Sequence, residues 1–166
     1  MYASYEAALS NAFAQPVGRM KAQMASLIRG YTGGRDASGM TADEWLAQHG
    51  MTKRLLMDGM PGWMGMWLRA EYGDHMEARF AAQCIAVKIA PDSPHPDFGS
   101  DMVLQLLGRV AGTRKVAAWS AVLGVKRRRL WYVRRKIFGA GEEERAKTRA
   151  VALTLLLDAG LIPARD

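Results

Sequence analysis

Apolar residues Tyr5, Leu9, Phe13, Val17, Met20, Met24, Leu27 and Ile28 recur every three or four positions, the period of a helix that buries one face. Pro16 falls inside the run and predicts a kink or split. From Phe13 to Leu27 the spacing alternates four and three over about two heptads, so the run reads either as one amphipathic helix on a core or as a dimerising helix. The glycines of residues 30–39, set among Thr, Asp and Ser, predict a loop. Thr41 followed by Glu44 is a capping box, from which a helix should run through Trp45 and Leu46 until Gly50 stops it. A short helical turn from Thr52 to Met57 should end near Gly59. Trp63, Met66, Trp67 and Ala70 then open a helix that the period carries past Gly73 to Val87.

Pro91, Pro94 and Pro96 disfavour helix interior, and residues 91–100 are therefore the predicted linker between a helical region, 1–90, and a basic region, 101–166. Downstream, Ser100 or Asp101 is placed to cap a helix carrying Met102, Val103, Leu106, Leu107 and Val110. A second helix is expected from Thr113 with Val116, Trp119 and Leu123, and a third over 126–138 with Leu130, Val133 and Ile137 inside. The acidic run Glu142, Glu143, Glu144 suits the positive start of a last helix, rich in Leu153, Leu155, Leu156, Leu157 and Leu161. That helix has too many apolar residues for one narrow stripe, which predicts a central position or a shared dimer interface. Nowhere does a period of two persist, so the expected fold class is all-α: a helical N-terminal region followed by a C-terminal helical bundle.

Charge sharpens this picture. The net charge is +7, yet no acid occurs between Asp101 and Glu142, a stretch holding ten cations: Arg109, Arg114, Lys115, Lys126, Arg127, Arg128, Arg129, Arg134, Arg135 and Lys136. The rest of the chain is left at −3. A segregated field of this kind suits a polyanion. The single cysteine, Cys84, precludes an intramolecular disulfide or a multi-cysteine zinc site. With no leader-like N-terminus and no uninterrupted apolar span, the expectation is a soluble protein of the reducing cytoplasm.

Ser120, Gly124, Val125, Leu130 and Val133, with Trp119 and Leu123, resemble the pattern of the helix-turn-helix superfamily of DNA-binding domains. That pattern has a small residue in its first helix, glycine four positions on at the tight turn, an apolar plug after it, and two buried apolar residues in the second helix. The resemblance implies a recognition helix starting near Lys126 and a partner of double-stranded DNA, read as a homodimer in many such proteins. The chain departs from the pattern in opening that helix with four cations where Ser or Thr often caps it. Those charges are mutually unfavourable unless phosphate relieves them.

With Leu130 and Val133 inward, helical geometry turns Lys126, Arg127, Arg128, Trp131, Tyr132 and Arg135 outward. Arginine matches guanine O6 and N7 with a planar fork, which makes Arg127 and Arg128 the expected base contacts. Lys126, Arg129, Arg134, Arg135, Lys136, Arg114 and Lys115 are the expected phosphate contacts. Tyr132 suits a phosphate or a thymine methyl, and Trp131 reads either as part of that face or as a ring closing the bundle against the final helix.

Other clusters give no catalytic or metal set. His49, His75 and His95 are far apart, and Asp92, His95 and Asp97 read as a solvated linker. Glu71, Asp74, His75 and Glu77 read as an exposed helix face, and Cys84 as core. Met51, Met57, Met60, Met64, Met66 and Met76 with Trp45, Trp63 and Trp67 suit either a core or an adaptable protein-binding surface over 45–76. The expectation is therefore a non-enzymatic, cofactor-free, sequence-specific DNA-binding regulator of a bacterial, plasmid or phage kind. Its rivals are RNA binding or antitermination, recognition of DNA for packaging or replication, a nucleic-acid enzyme with its site in residues 1–90, and a cationic segment for an acidic protein or membrane.

Overall fold

The computed structural model describes residues 2–13 and 42–163, and among these the chain is all-α, with seven helices and no strand. They are α1 (Tyr5–Phe13), α2 (Ala42–Gly59), α3 (Gly62–Tyr72), α4 (His75–Ile89), α5 (Pro96–Leu106), α6 (Val116–Leu123) and α7 (Arg127–Asp158). The chain divides into two compact units, residues 1–59 with 152–166, and residues 60–151. No described helix is long and apolar enough to cross a membrane. The heptad-like run beyond Phe13, the Pro16 kink, the glycine loop at 30–39 and the Thr41 cap lie outside the described residues.

In the first unit, Leu9, Phe13, Leu56, Leu156 and Ile162 are buried. Tyr2 ties the chain ends: its N–H donates to Leu161 O at 2.7 Å and its hydroxyl meets Thr52 Oγ1 at 3.1 Å. Burial holds the Tyr2 hydroxyl above its ordinary pKa. Helix α2 continues through Gly50, where the sequence predicts a stop. The glycine contributes no capping there; it sits exposed in a helix that Thr52 and Leu56 anchor by burial.

The second unit is organised by α3, α4 and α5, which pack in succession around Trp67, Ala82, Ile85, Phe98, Met102 and Val103. The helix expected to run through Gly73 instead ends there. Gly73 N–H bonds Arg69 O at 2.9 Å, and Asp74 caps α4 by accepting from Glu77 N–H at 2.8 Å. Arg109 secures the break: its Nη1 donates to the carbonyls of Ala70, Glu71 and Gly73 at 3.2, 3.2 and 2.7 Å. It satisfies oxygens that a helix C-terminus leaves without partners.

Three further expectations are corrected. The proline segment is not a boundary between units, because residues 60–151 form one unit and α4 and α5 pack along each other on either side of it. Pro96 occupies the first turn of α5, where its missing N–H is harmless, and His95 Nδ1 caps the helix by accepting from Asp97 N–H at 3.1 Å. Ser100 and Asp101 therefore lie inside α5, both buried, and the helix ends at Leu106, short of Val110. Finally, no new helix begins at Glu142, since α7 is continuous through Gly139 and Gly141. A Cβ at Gly141 would stand 2.6 Å from Leu106 Cδ2 and 3.2 Å from Trp67 Cη2, so this glycine permits a close approach.

Gly124 has φ of +62° and ends α6 in the left-handed conformation. Nothing lies within 4 Å of where its Cβ would be, so the demand is on the backbone alone. Gly124→Ala is expected to destabilise the protein by about 1–2 kcal/mol, read from the midpoint of urea unfolding. An unchanged midpoint would contradict this account of the turn.

Candidate nucleic-acid interface

Helices α6 and α7 are joined by Gly124, Val125 and Lys126, and the turn is closed by Ser120 Oγ donating to Val125 O at 2.8 Å. Trp119, Leu130, Val133 and Ile137 are buried, with Leu123 and Val125 packed against the same core. The residues that carry the sequence resemblance thus border this turn, with Trp119, Leu130 and Val133 buried. The second helix is longer than that pattern needs, reaching Asp158.

Asp101 holds this arrangement from below. Its Oδ2 accepts from Arg114 N–H and from Trp119 Nε1–H, each at 2.8 Å. Its Oδ1 faces Arg79 Nη2 at 3.2 Å, an ion pair without hydrogen-bond geometry. Trp119 in turn meets Phe98 edge-on at 6.1 Å and His95 at 5.6 Å between ring centroids. One buried carboxylate therefore links α4, α5 and the start of α6. The sequence gives it the look of a cap because it precedes an apolar run; the His95–Pro96–Asp97 triplet is the actual start signal.

The outward face matches the expected orientation. Lys126, Arg127, Arg128, Arg129, Trp131, Tyr132, Arg135 and Lys136 are exposed, and Arg134 is half-buried. Trp131 at 52% and Tyr132 at 62% exposure do not close the bundle. Together with Arg128, Arg134, Arg135, Phe138 and Glu142 they line a half-open depression on α7. Arg114 and Lys115 are also exposed, just before α6.

The cations differ in availability, a distinction that spacing does not reveal. Arg134 stacks on Phe138 at 3.9 Å and lies 5.0 Å from the Trp131 ring centre. Arg114 lies 5.2 Å from the Trp119 ring centre. Lys136 Nζ bonds Asp92 Oδ1 at 2.9 Å, and this bond, with Arg129 adding to the field, holds the Asp92 carboxyl below its ordinary pKa. Arg109 is committed to the α3 carbonyls. Lys115, Lys126, Arg127, Arg128, Arg129 and Arg135 make no side-chain ion pair among the described residues.

The clusters outside this face serve the fold. Asp92 and His95 are engaged as described, so they are not an idle linker. Glu71 is not exposed: it pairs with Arg145 and, at 2.6 Å, with Arg149. Glu77 faces Arg69 at 3.6 Å. The methionines divide, with Met60 buried and Met51 and Met76 largely exposed. Cys84 is half-buried, at the edge of the core instead of inside it.

Comparison with known protein families, with curated protein sequences and with solved structures finds no match to this chain.

Proposed function

We propose that the protein binds double-stranded DNA through the first three turns of α7, presented by the turn at Gly124, and acts as a sequence-specific regulator. The observation that carries this reading is the division of α7 into two faces. Leu130, Val133 and Ile137 are buried on one, while Lys126, Arg127, Arg128, Arg129 and Arg135 stand exposed with Trp131 and Tyr132 on the other. A solvated helix face ordinarily mixes acids with its lysines and arginines, and this one has none before Glu142. Helix width and arginine geometry suit the major groove, where Arg127 and Arg128 reach base edges and Lys126, Arg129, Arg135 and Lys115 meet phosphates. A homodimer on two half-sites fits the same mode of binding.

The test follows from the unequal availability of the cations. Arg128→Ala should weaken binding to a preferred duplex by about 1–3 kcal/mol and relax one base preference. Arg135→Ala should weaken all duplexes alike. Lys136→Ala should do less than Arg135→Ala, because Asp92 already engages its ammonium. Fluorescence anisotropy with labelled duplexes measures all three. Equal losses for Arg128→Ala and Lys136→Ala on preferred and random DNA would refute the assignment.

A further inference from the structure

The basic face of α7 carries two aromatic rings, Trp131 and Tyr132, exposed at consecutive positions. The depression they line has a volume of about 660 Å³, within the range of pockets that receive a ligand of nucleotide size. In a duplex the bases lie stacked on one another, so the major groove presents only their edges: donors, acceptors and the thymine methyl. The flat face of an indole has no counterpart there. Its counterpart is the face of a base that has left the stack.

The surroundings of Trp131 suit that role. The Arg134 guanidinium lies 5.0 Å from the Trp131 ring centre and 3.9 Å from that of Phe138, so the indole is flanked by a cation that a second ring holds in place. Bases stack on guanidinium planes as well as on aromatic rings. Charge gives a nucleotide a direction across this surface. Arg135, one helical turn beyond Trp131 and exposed, draws the phosphate. Glu142, the one acid in the lining among the described residues, repels a phosphate and accepts from a base N–H.

We infer that Trp131 and Tyr132 form a stacking platform for unpaired bases, so that the preferred ligand is DNA in which a duplex passes into single strand. The inference rests on the duplex-binding reading of α7 and adds a base-stacking component to it. Three labelled ligands sharing one duplex test it by fluorescence anisotropy with the full-length protein. The first is blunt, the second carries a short single-stranded thymidine tail, and the third carries the same tail built from abasic nucleotides, which keeps every phosphate and removes the bases. Tails are placed in turn on the 5′ and 3′ ends of each strand.

The base-bearing tail should bind about five- to tenfold more tightly than the abasic tail for at least one placement. Phosphate neutralisation is the same for both, so the ratio isolates stacking. Trp131→Ala should bring the ratio close to one, and Trp131→Phe, which keeps a flat ring, should restore most of it. Equal affinity for the two tails at every placement, with blunt-duplex binding intact, would overturn the inference and leave the duplex reading standing. A ratio that survives Trp131→Ala would also overturn it, and failure of all three ligands to bind would remove both readings. The comparison of tails on the unaltered protein decides the matter even if a variant fails to fold.

Discussion

Asp101→Ala is expected to lower folding stability by about 3–5 kcal/mol, the range seen when one partner of a buried charged pair is removed. The carboxylate is fully buried, and three groups depend on it: Arg114 N–H, Trp119 Nε1–H and the Arg79 guanidinium. Alanine leaves two donors and a partly buried cation without their acceptor, and each loss adds a desolvation penalty. Asp101→Asn should be milder, because an amide oxygen still accepts from Arg114 and Trp119, although its NH₂ would face Arg79. Urea unfolding with an unchanged slope is the measurement. A loss below about 1 kcal/mol for the alanine variant would show that Asp101 does not organise this corner. Because Asp101 fixes the start of α6, the variant should also lose the proposed nucleic-acid binding under conditions where part of it remains folded.

The second large effect is expected at Trp67. The side chain is 1% exposed and belongs to the core cluster, and its ring edge lies where a Cβ on Gly141 would come within 3.2 Å. Trp67→Ala removes a large buried ring between α3 and α7, with an expected cost of about 3–5 kcal/mol. Gly141→Ala approaches the same contact from the opposite side. Its new methyl would meet Leu106 Cδ2 at 2.6 Å, so the gain in helix propensity should be offset by crowding and the net effect on stability should be small or unfavourable. A marked stabilisation by Gly141→Ala would mean that this close approach is not required.

These residues also show what was legible in the sequence. The all-α class, and the arrangement of Trp119, Ser120, Gly124, Val125, Leu130 and Val133 about a turn, followed from local rules: helical period, a left-handed position that only glycine takes without strain, and burial of an apolar stripe. Helix ends were less legible, because tertiary contacts override local punctuation. Gly50 and Gly139 interrupt no helix, whereas Gly73 does, and there Arg109 supplies the missing partners from 36 residues away. Prolines misled for a similar reason, since Pro96 begins a helix once His95 caps it.

The basic face was readable as a stretch without acids, but which cations remain available was not. Asp92 engages Lys136 across 44 residues, Phe138 carries Arg134, and Arg109 turns inward. Such pairings depend on how helices meet, which a period along one helix does not encode.

The most direct test of the central claim is selection of bound duplexes from a random DNA pool, repeated at low and near-physiological salt, with affinity then followed against salt. The account predicts an enriched motif that survives the higher salt, and a palindromic motif would add the dimer. With four cations of the basic face assigned to phosphates it also predicts a log–log salt slope of about −4. Binding without a motif that disappears as salt rises, or no binding to duplex DNA, would contradict a sequence-specific interface on α7.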